Sequence, residues 1–226
     1  MKLVVPLGKK QNIITENHLS AVRNYALRAG LDKPELSELA KKFDIEYWDG
    51  DRKTGYGGYT NDGRWKKIAK NLSDRYGLSS GASILDIGCG KGYLLAELKK
   101  LNSQFAVQGV DISRYALSRA EPEVAEFLSI CEADQIDYKE NSFDLVVSMN
   151  CLHNLQLPQL FSALQKIQSV AKKNSYICVE SYRNETEKWN LMQWQLTCEC
   201  FFSPEEWVWI FDKSGYSGDY EFIYFA

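Results

Sequence analysis

The residues whose types and spacing most clearly point to chemistry fall in one stretch, Ile84 to Leu95, which reads ILDIGCGKGYLL. Apolar and β-branched positions surround an acid, Asp86, and lead straight into three glycines, Gly88, Gly90 and Gly92. This is the pattern of a buried strand ending in a turn where backbone must approach a ligand. A helix is predicted from about Tyr93 to Lys100, and its first amides point back at the turn. Asp86 narrows the ligand. A carboxylate two residues before Gly88 repels the pyrophosphate of a dinucleotide and suits a ligand carrying an ammonium and a sulfonium. A second acid, Asp111, ends the next strand-like run, GVDIS, about 20 residues further on.

The elements that must position these residues follow from periodicity. Strands are predicted at Ser83–Ile87, Phe105–Val110, Phe127–Cys131, Phe143–Met149, Ser175–Glu180 and Tyr220–Phe225. Helices lie between most of them, at about 92–101, 114–121 and 157–172, after a helix Trp65–Tyr76 stopped by Gly77. Such alternation predicts an α/β fold, doubly wound, with a mostly parallel Rossmann-like sheet of six to seven strands. Ser203-Pro204-Glu205-Glu206 is a helix start, with a cap, a Pro at the first position and an acid three residues on. Residues 1–65 form an N-terminal helical and lid extension, and residues 66–226 the ligand-binding domain. Within the extension, Glu16–Ala29 and Pro34–Lys42 carry apolar residues at helical spacing, with Leu36 and Leu39 inward. Eight Lys or Arg against seven Asp or Glu in residues 1–50 leave no basic face, so these helices read as a lid or a homodimer contact.

The whole chain is 226 residues with 45% hydrophobic and 25% charged residues and a formal charge of −3. These are ordinary values for a globular domain, and the acidic balance disfavours nucleic acid as a partner. No apolar run reaches the length of a membrane span, and the opening MKLVVPLGKKQ is too short for a signal peptide, so a cytoplasmic protein is expected. Six cysteines include no CxxC and only two histidines accompany them, so no metal site is expected.

With the glycine turn set on a first strand, the chain resembles the class I S-adenosylmethionine-dependent methyltransferases over about residues 65–226. The matching motifs are ILDIGCGKG at 84–92, GVDIS at 109–113, EADQIDY at 132–138 and FDLVVSMNCLHNL at 143–155. The resemblance implies S-adenosylmethionine as cofactor, lying across the carboxyl ends of the strands. It implies that Asp86 faces the ammonium of the methionine moiety and that Gly88, Cys89, Gly90 and Gly92 let backbone approach the cofactor. Asp111 would accept the ribose hydroxyls, and Ile112 would pack on the adenine. Asp134 and Gln135 would meet the adenine edge, although an acid after a strand is also ordinary turn chemistry. Asn150 would lie near the ammonium through its carbonyl. One departure is visible. The family closes its sheet with a two-stranded hairpin, whereas one obvious strand follows Glu180 here; either TCECFF supplies the partner or an edge strand is missing. GCGKG lacks the GxGxxG spacing of a dehydrogenase.

Methyl transfer needs alignment and exclusion of water, plus a base only where the acceptor is protonated. His153, a few residues past the fourth strand, is the candidate base; capping or packing is its equal alternative. Glu180 and Tyr182 follow, with strand-end solvation as the plainer reading. Residues 44–65 hold five glycines and five aromatics among Arg52, Lys53 and Arg64, and no sustained period. This loop is expected to be pinned to the core and to form the acceptor site. Tyr56, Tyr59 and Trp65 would wall the methyl site, and Arg52 and Lys53 would offer donors to a carboxylate or phosphate. Tyr59, a second catalytic candidate, and Arg64 would lie closest to the cofactor. The expected activity is methyl transfer to the O or N of a small-molecule acceptor, anionic or sugar-related, with a cofactor-binding scaffold as the competing reading.

Overall fold

The computed structural model describes residues 6–15 and 23–226. Its six strands are β1 (Ser83–Ile87), β2 (Ala106–Asp111), β3 (Leu128–Ile130), β4 (Phe143–Met149), β5 (Ala171–Glu180) and β6 (Asp219–Ile223). They form one sheet in the order β3-β2-β1-β4-β5-β6, parallel throughout. The order reverses between β1 and β4, which opens a crevice at their carboxyl ends. Both faces are covered, which is why the strands read as near-continuous apolar runs rather than alternating ones.

On one face Ile84, Val107, Leu145, Val147 and Tyr176 pack against α4 (Arg64–Tyr76) and α5 (Tyr93–Leu101) through Ile68, Leu72, Leu94, Leu95 and Leu98. On the other, Leu85, Ile87, Val146, Ile177 and Val179 meet α7 (Leu157–Val170) and α9 (Pro204–Ser214). The predicted start of α9 forms as a capping box between Ser203 and Glu206, and Trp207 in its first turn donates to the Glu180 carbonyl at 3.0 Å. Fully burying such side chains contributes roughly 1.5–3 kcal/mol each.

Three expectations need correction. TCECFF is not a strand; Glu199 and Cys200 instead donate their amides to the His153 carbonyl at 2.9 and 3.0 Å. The outer edge of β6 is covered by the N-terminal segment, with Lys10 bridging Tyr220 in parallel. Buried Glu221 accepts the amides of Ile13, Ile14 and Thr15 and the Tyr176 hydroxyl, clamping that segment to the sheet. The helix predicted over Glu16–Ala29 lies partly outside the described residues. In the described part it begins at Asn24, whose side chain caps α1 (Tyr25–Ala29). Ala26 and Leu27 face outward, and the buried residue of α1 is Arg28. Two further helices, α2 (Lys33–Ala40) and α3 (Ile45–Trp48), lead into the loop, with Leu36 and Leu39 only half-buried and Ala40 fully so. The remaining helices are α6 (Arg114–Ser118) and α8 (Glu185–Trp194).

Candidate active site

The glycine turn sits in the crevice. Gly88 and Gly90 take left-handed backbone, φ 81° and 55°, which other residues adopt only under strain. The amides of Gly88 and Cys89 both donate to the Val110 carbonyl, which ties the turn to β2. Asp111 accepts from the Gly90 amide at 2.7 Å and the Ser113 amide at 2.8 Å, leaving lone pairs free on both oxygens. Asp86 lies 4% exposed beside it. Burial, and then the Asp111 charge, push the Asp86 carboxyl up to about 8. Among the described residues no Lys or Arg pairs with either acid. Gly88, Cys89, Gly90, Ile112, Met149, Asn150 and Cys151 complete the floor of a cleft enclosing about 970 Å³, part of it open to solvent. One Asp134 oxygen is buried without a partner just past Ala133, which lines the cleft. Two uncompensated acids and an orphaned carboxylate oxygen fit a cationic ligand with an amine-bearing base.

Residues 43–65 roof this cleft with packed rings. Trp48 stacks on Tyr56 at 5.5 Å, Tyr56 meets Tyr59 at 4.4 Å, and Tyr59 stacks on Tyr93 at 5.2 Å. A Cβ on Gly90 would come within 2.8 Å of the Trp48 ring. The indole N–H of Trp48 donates to the Ser113 hydroxyl, which caps α6. The roof is latched electrostatically. Lys91, 5% exposed and set between two glycines of the turn, donates to both oxygens of Asp49 at 2.8 Å and to the Tyr59 carbonyl. Asp49 also accepts from the Tyr59 amide and the Tyr115 hydroxyl. Desolvation pushes Asp49 up, but these hydrogen bonds outweigh it and hold the carboxyl below its ordinary value.

A second cavity, about 1370 Å³ and polar, adjoins the first; Tyr47, Tyr56, Tyr59 and Asn150 line both. Arg23, Arg28, Arg52 and Arg64 face it, as do His153, Glu180, Trp194 and Gln195. Glu180 ends β5, 3% exposed. One carboxylate oxygen accepts from the Gln195 amide, and the other has no hydrogen-bond partner. Burial pushes Glu180 up to about 8. His153 is 2% exposed, and burial pushes it down to about 3. The Glu180 amide donates to His153 Nδ1 at 3.4 Å, which leaves the ring proton on Nε2, 3.4 Å from the unpaired Glu180 oxygen.

Residues 78–215, more than half of the chain, match the family model described as a methyltransferase domain. The chain belongs to the class I methyltransferases. The cofactor of this family is S-adenosylmethionine. The chain is 27% identical over 144 residues to a tRNA U34 carboxymethyltransferase of Idiomarina loihiensis, covering 59% of this chain and 42% of that one. It is 32% identical over 110 residues to a malonyl-[acyl-carrier protein] O-methyltransferase of Bacillus cereus, covering 44% and 41%. The chain thus spans less than half the length of either relative. Its fold is shared by the YcgJ protein of Bacillus subtilis, at a TM-score of 0.53 and 15% identity over 65% of this chain and 66% of that one.

The fold brings most of the residues singled out in the sequence to these two cavities. Asp86, Gly88, Cys89, Gly90, Asp111, Ile112, Asn150 and Trp65 line the cleft, Arg52, His153 and Glu180 the polar cavity, and Tyr56 and Tyr59 both. Others fall elsewhere. Gly92 turns toward Val124 and Leu128, on the protein side of the turn. Gln135 is exposed and donates to Asp134. Arg64 faces the polar cavity rather than the cofactor cleft and is engaged by Asp62. Lys53 and Tyr182 line neither cavity. Lys53 contributes its carbonyl to Arg28, and Tyr182 lies under the Lys188 ammonium. Sequence reasoning missed Trp48, Asp49, Lys91, Arg23, Arg28 and Trp194. A lysine between two turn glycines was a usable signal; the others come from distant segments joined only by folding.

Proposed function

We propose that the protein transfers the methyl group of S-adenosylmethionine to an oxygen or nitrogen of a small, anionic acceptor held in the polar cavity. The observation that carries this reading is the contact between two cavities of opposite character. One is floored by uncompensated acids, suited to a cationic cofactor; the other is walled by arginines, and the two share Asn150 and three tyrosines. When bound, the cofactor supplies an electrophilic methyl group on a sulfonium. Asp86 holds the ammonium of the cofactor, with the Asn150 carbonyl nearby. Asp111 accepts the ribose hydroxyls, Ile112 covers the adenine, and Asp134 takes its amine, braced by Gln135. Gly88, Cys89 and Gly90 supply backbone. The roof formed by residues 43–65 excludes water, with Tyr56, Tyr59 and Trp65 against the acceptor.

The base in this reading is Glu180 rather than His153. The accepting nitrogen of His153 is already used by the Glu180 amide, and its remaining ring nitrogen carries a proton. Glu180 has an unpaired oxygen and a proton affinity near the working pH, the combination a general base needs. It would take the acceptor's proton as the acceptor bonds to the methyl carbon, the carbon–sulfur bond breaking to leave a neutral thioether. His153 accepts the Glu180 amide at Nδ1 and so fixes the backbone that carries the base. The alternative of a cofactor-binding scaffold without turnover predicts binding and no product. Calorimetry with S-adenosylmethionine, on the wild type and on Asp86→Ala and Asp111→Ala, tests the cofactor site; no binding by the wild type would refute the reading. Formation of S-adenosylhomocysteine on addition of an anionic metabolite pool separates enzyme from scaffold.

A further inference from the structure

The arginines of the polar cavity are not equivalent. Arg64 is forked onto Asp62. Arg23, Arg28 and Arg52 instead gather around one ring, that of Trp194 at the end of α8, with guanidinium carbons 5.7, 4.9 and 5.3 Å from its centroid. Arg28 is 7% exposed, yet its hydrogen bonds go to the carbonyls of Lys53 and Arg52. Arg52 donates to the Gly55 carbonyl at 2.5 Å. Among the described residues neither Arg28 nor Arg52 forms an ion pair. Carbonyls and a ring face orient a guanidinium without neutralising it. Burial, followed by the charge of Arg52, pushes the Arg28 guanidinium down from its ordinary value, against the opposing charge of Asp51. Three guanidiniums turned toward one cavity, with N–H donors to spare on Arg28 and Arg52, make a fork-lined anion site.

We propose that this cluster binds the anionic group of the acceptor, and that the group is a phosphate-type dianion rather than a carboxylate. The inference rests on reading the polar cavity as the acceptor's. Charge count favours the dianion. A carboxylate offers one negative charge to Arg28 and Arg52, whereas a phosphate monoester offers nearly two and three acceptor oxygens. The loop carrying Arg52 is tied to α1 through Arg28, so an anion here also draws the roof onto the core.

The test is calorimetric titration of the full chain with inorganic phosphate and, separately, with acetate at matched ionic strength. S-adenosylmethionine binding is measured on the same samples. Phosphate is expected to bind saturably at one site, and acetate at least tenfold more weakly. Arg52→Gln, an exposed position that leaves the core untouched, is expected to weaken phosphate at least about tenfold, the size of one charged hydrogen bond, and to leave cofactor affinity unchanged. Non-saturating phosphate heats, or phosphate affinity undiminished in Arg52→Gln, would overturn the anion site. Acetate binding equal to phosphate would overturn the dianion. Those failures with cofactor binding intact leave the methyltransferase reading standing; loss of cofactor binding in the wild type refutes that reading instead.

Discussion

Cofactor binding should release a proton, because Asp86, the carboxyl proposed to receive the cofactor's ammonium, is pushed up to about 8 by burial and by Asp111. The cofactor's charge favours the ionised acid, so the apparent affinity scales with the ionised fraction. That fraction is about 1% at pH 6 and about half at pH 8, a gain of about 50-fold or about 2 kcal/mol. Asp111 is also raised, by burial, and acts in the same direction. Calorimetry in buffers of different ionisation enthalpy reads the proton count directly. About one proton should be released per cofactor at pH 6.5, falling toward one half at pH 8. Asp86→Asn, nearly isosteric, should bind more weakly at pH 8 and show a much flatter pH dependence. Equal wild-type affinity at pH 6 and 8, with no buffer dependence of the heat, would refute the assignment. The same acid sets the stability of the free protein. Its folded value lies above its unfolded value of 3.8, so it favours folding below about pH 4, and that contribution is lost as pH rises through about 8. Glu180, moved from 4.5 to about 8, adds a parallel loss over nearly the same window.

Other consequences are open to measurement. Glu180→Gln should lower kcat by about 100-fold or more while leaving cofactor affinity intact, the range of general-base catalysis; an unchanged kcat at pH 7.5 sinks the base. With saturating cofactor, the wild-type kcat should climb through about pH 8, and His153→Gln should displace that midpoint with a smaller loss of rate. Asp49→Ala leaves Lys91 buried without its counter-charge and should cost about 3 kcal/mol of stability, most of it recovered in Asp49→Ala/Lys91→Met; denaturant melts of the three chains test the coupling. Gly88→Ala places a Cβ 2.5 Å from the Cys151 sulfur at φ 81° and should abolish cofactor binding, read by the same calorimetry.

The cofactor half of the site was legible because its parts are local. Strand β1, the turn and α5 are contiguous, and the periodicity that gives Ser83–Ile87 and Phe143–Met149 is a consequence of burial on both sheet faces. Elsewhere local signals were overridden by tertiary contacts. TCECFF has strand composition, but its amides are taken by the His153 carbonyl, so it stays irregular. Leu27 lies at helical spacing yet faces out, because the inward side of α1 carries Arg28, which the loop's carbonyls and Trp194 satisfy. No window of sequence holds Arg28, Arg52 and Trp194 together.

The proposed base shows most clearly how environment can point away from residue type. In water histidine titrates near neutrality and glutamate near 4, which makes His153 the natural candidate. Burial penalises whichever form is charged, so it moves the two groups in opposite directions. His153 falls to about 3 and Glu180 rises to about 8, and their order inverts. The hydrogen bonds follow the inversion. The Glu180 amide occupies the imidazole's acceptor, and the imidazole's proton faces the carboxylate. One Glu180 oxygen is left without a hydrogen-bond partner, in a cavity walled by arginines. Under the proposed function, the histidine after β4 and the glutamate ending β5 form one device: the first fixes the backbone of the second, and the second would meet the acceptor.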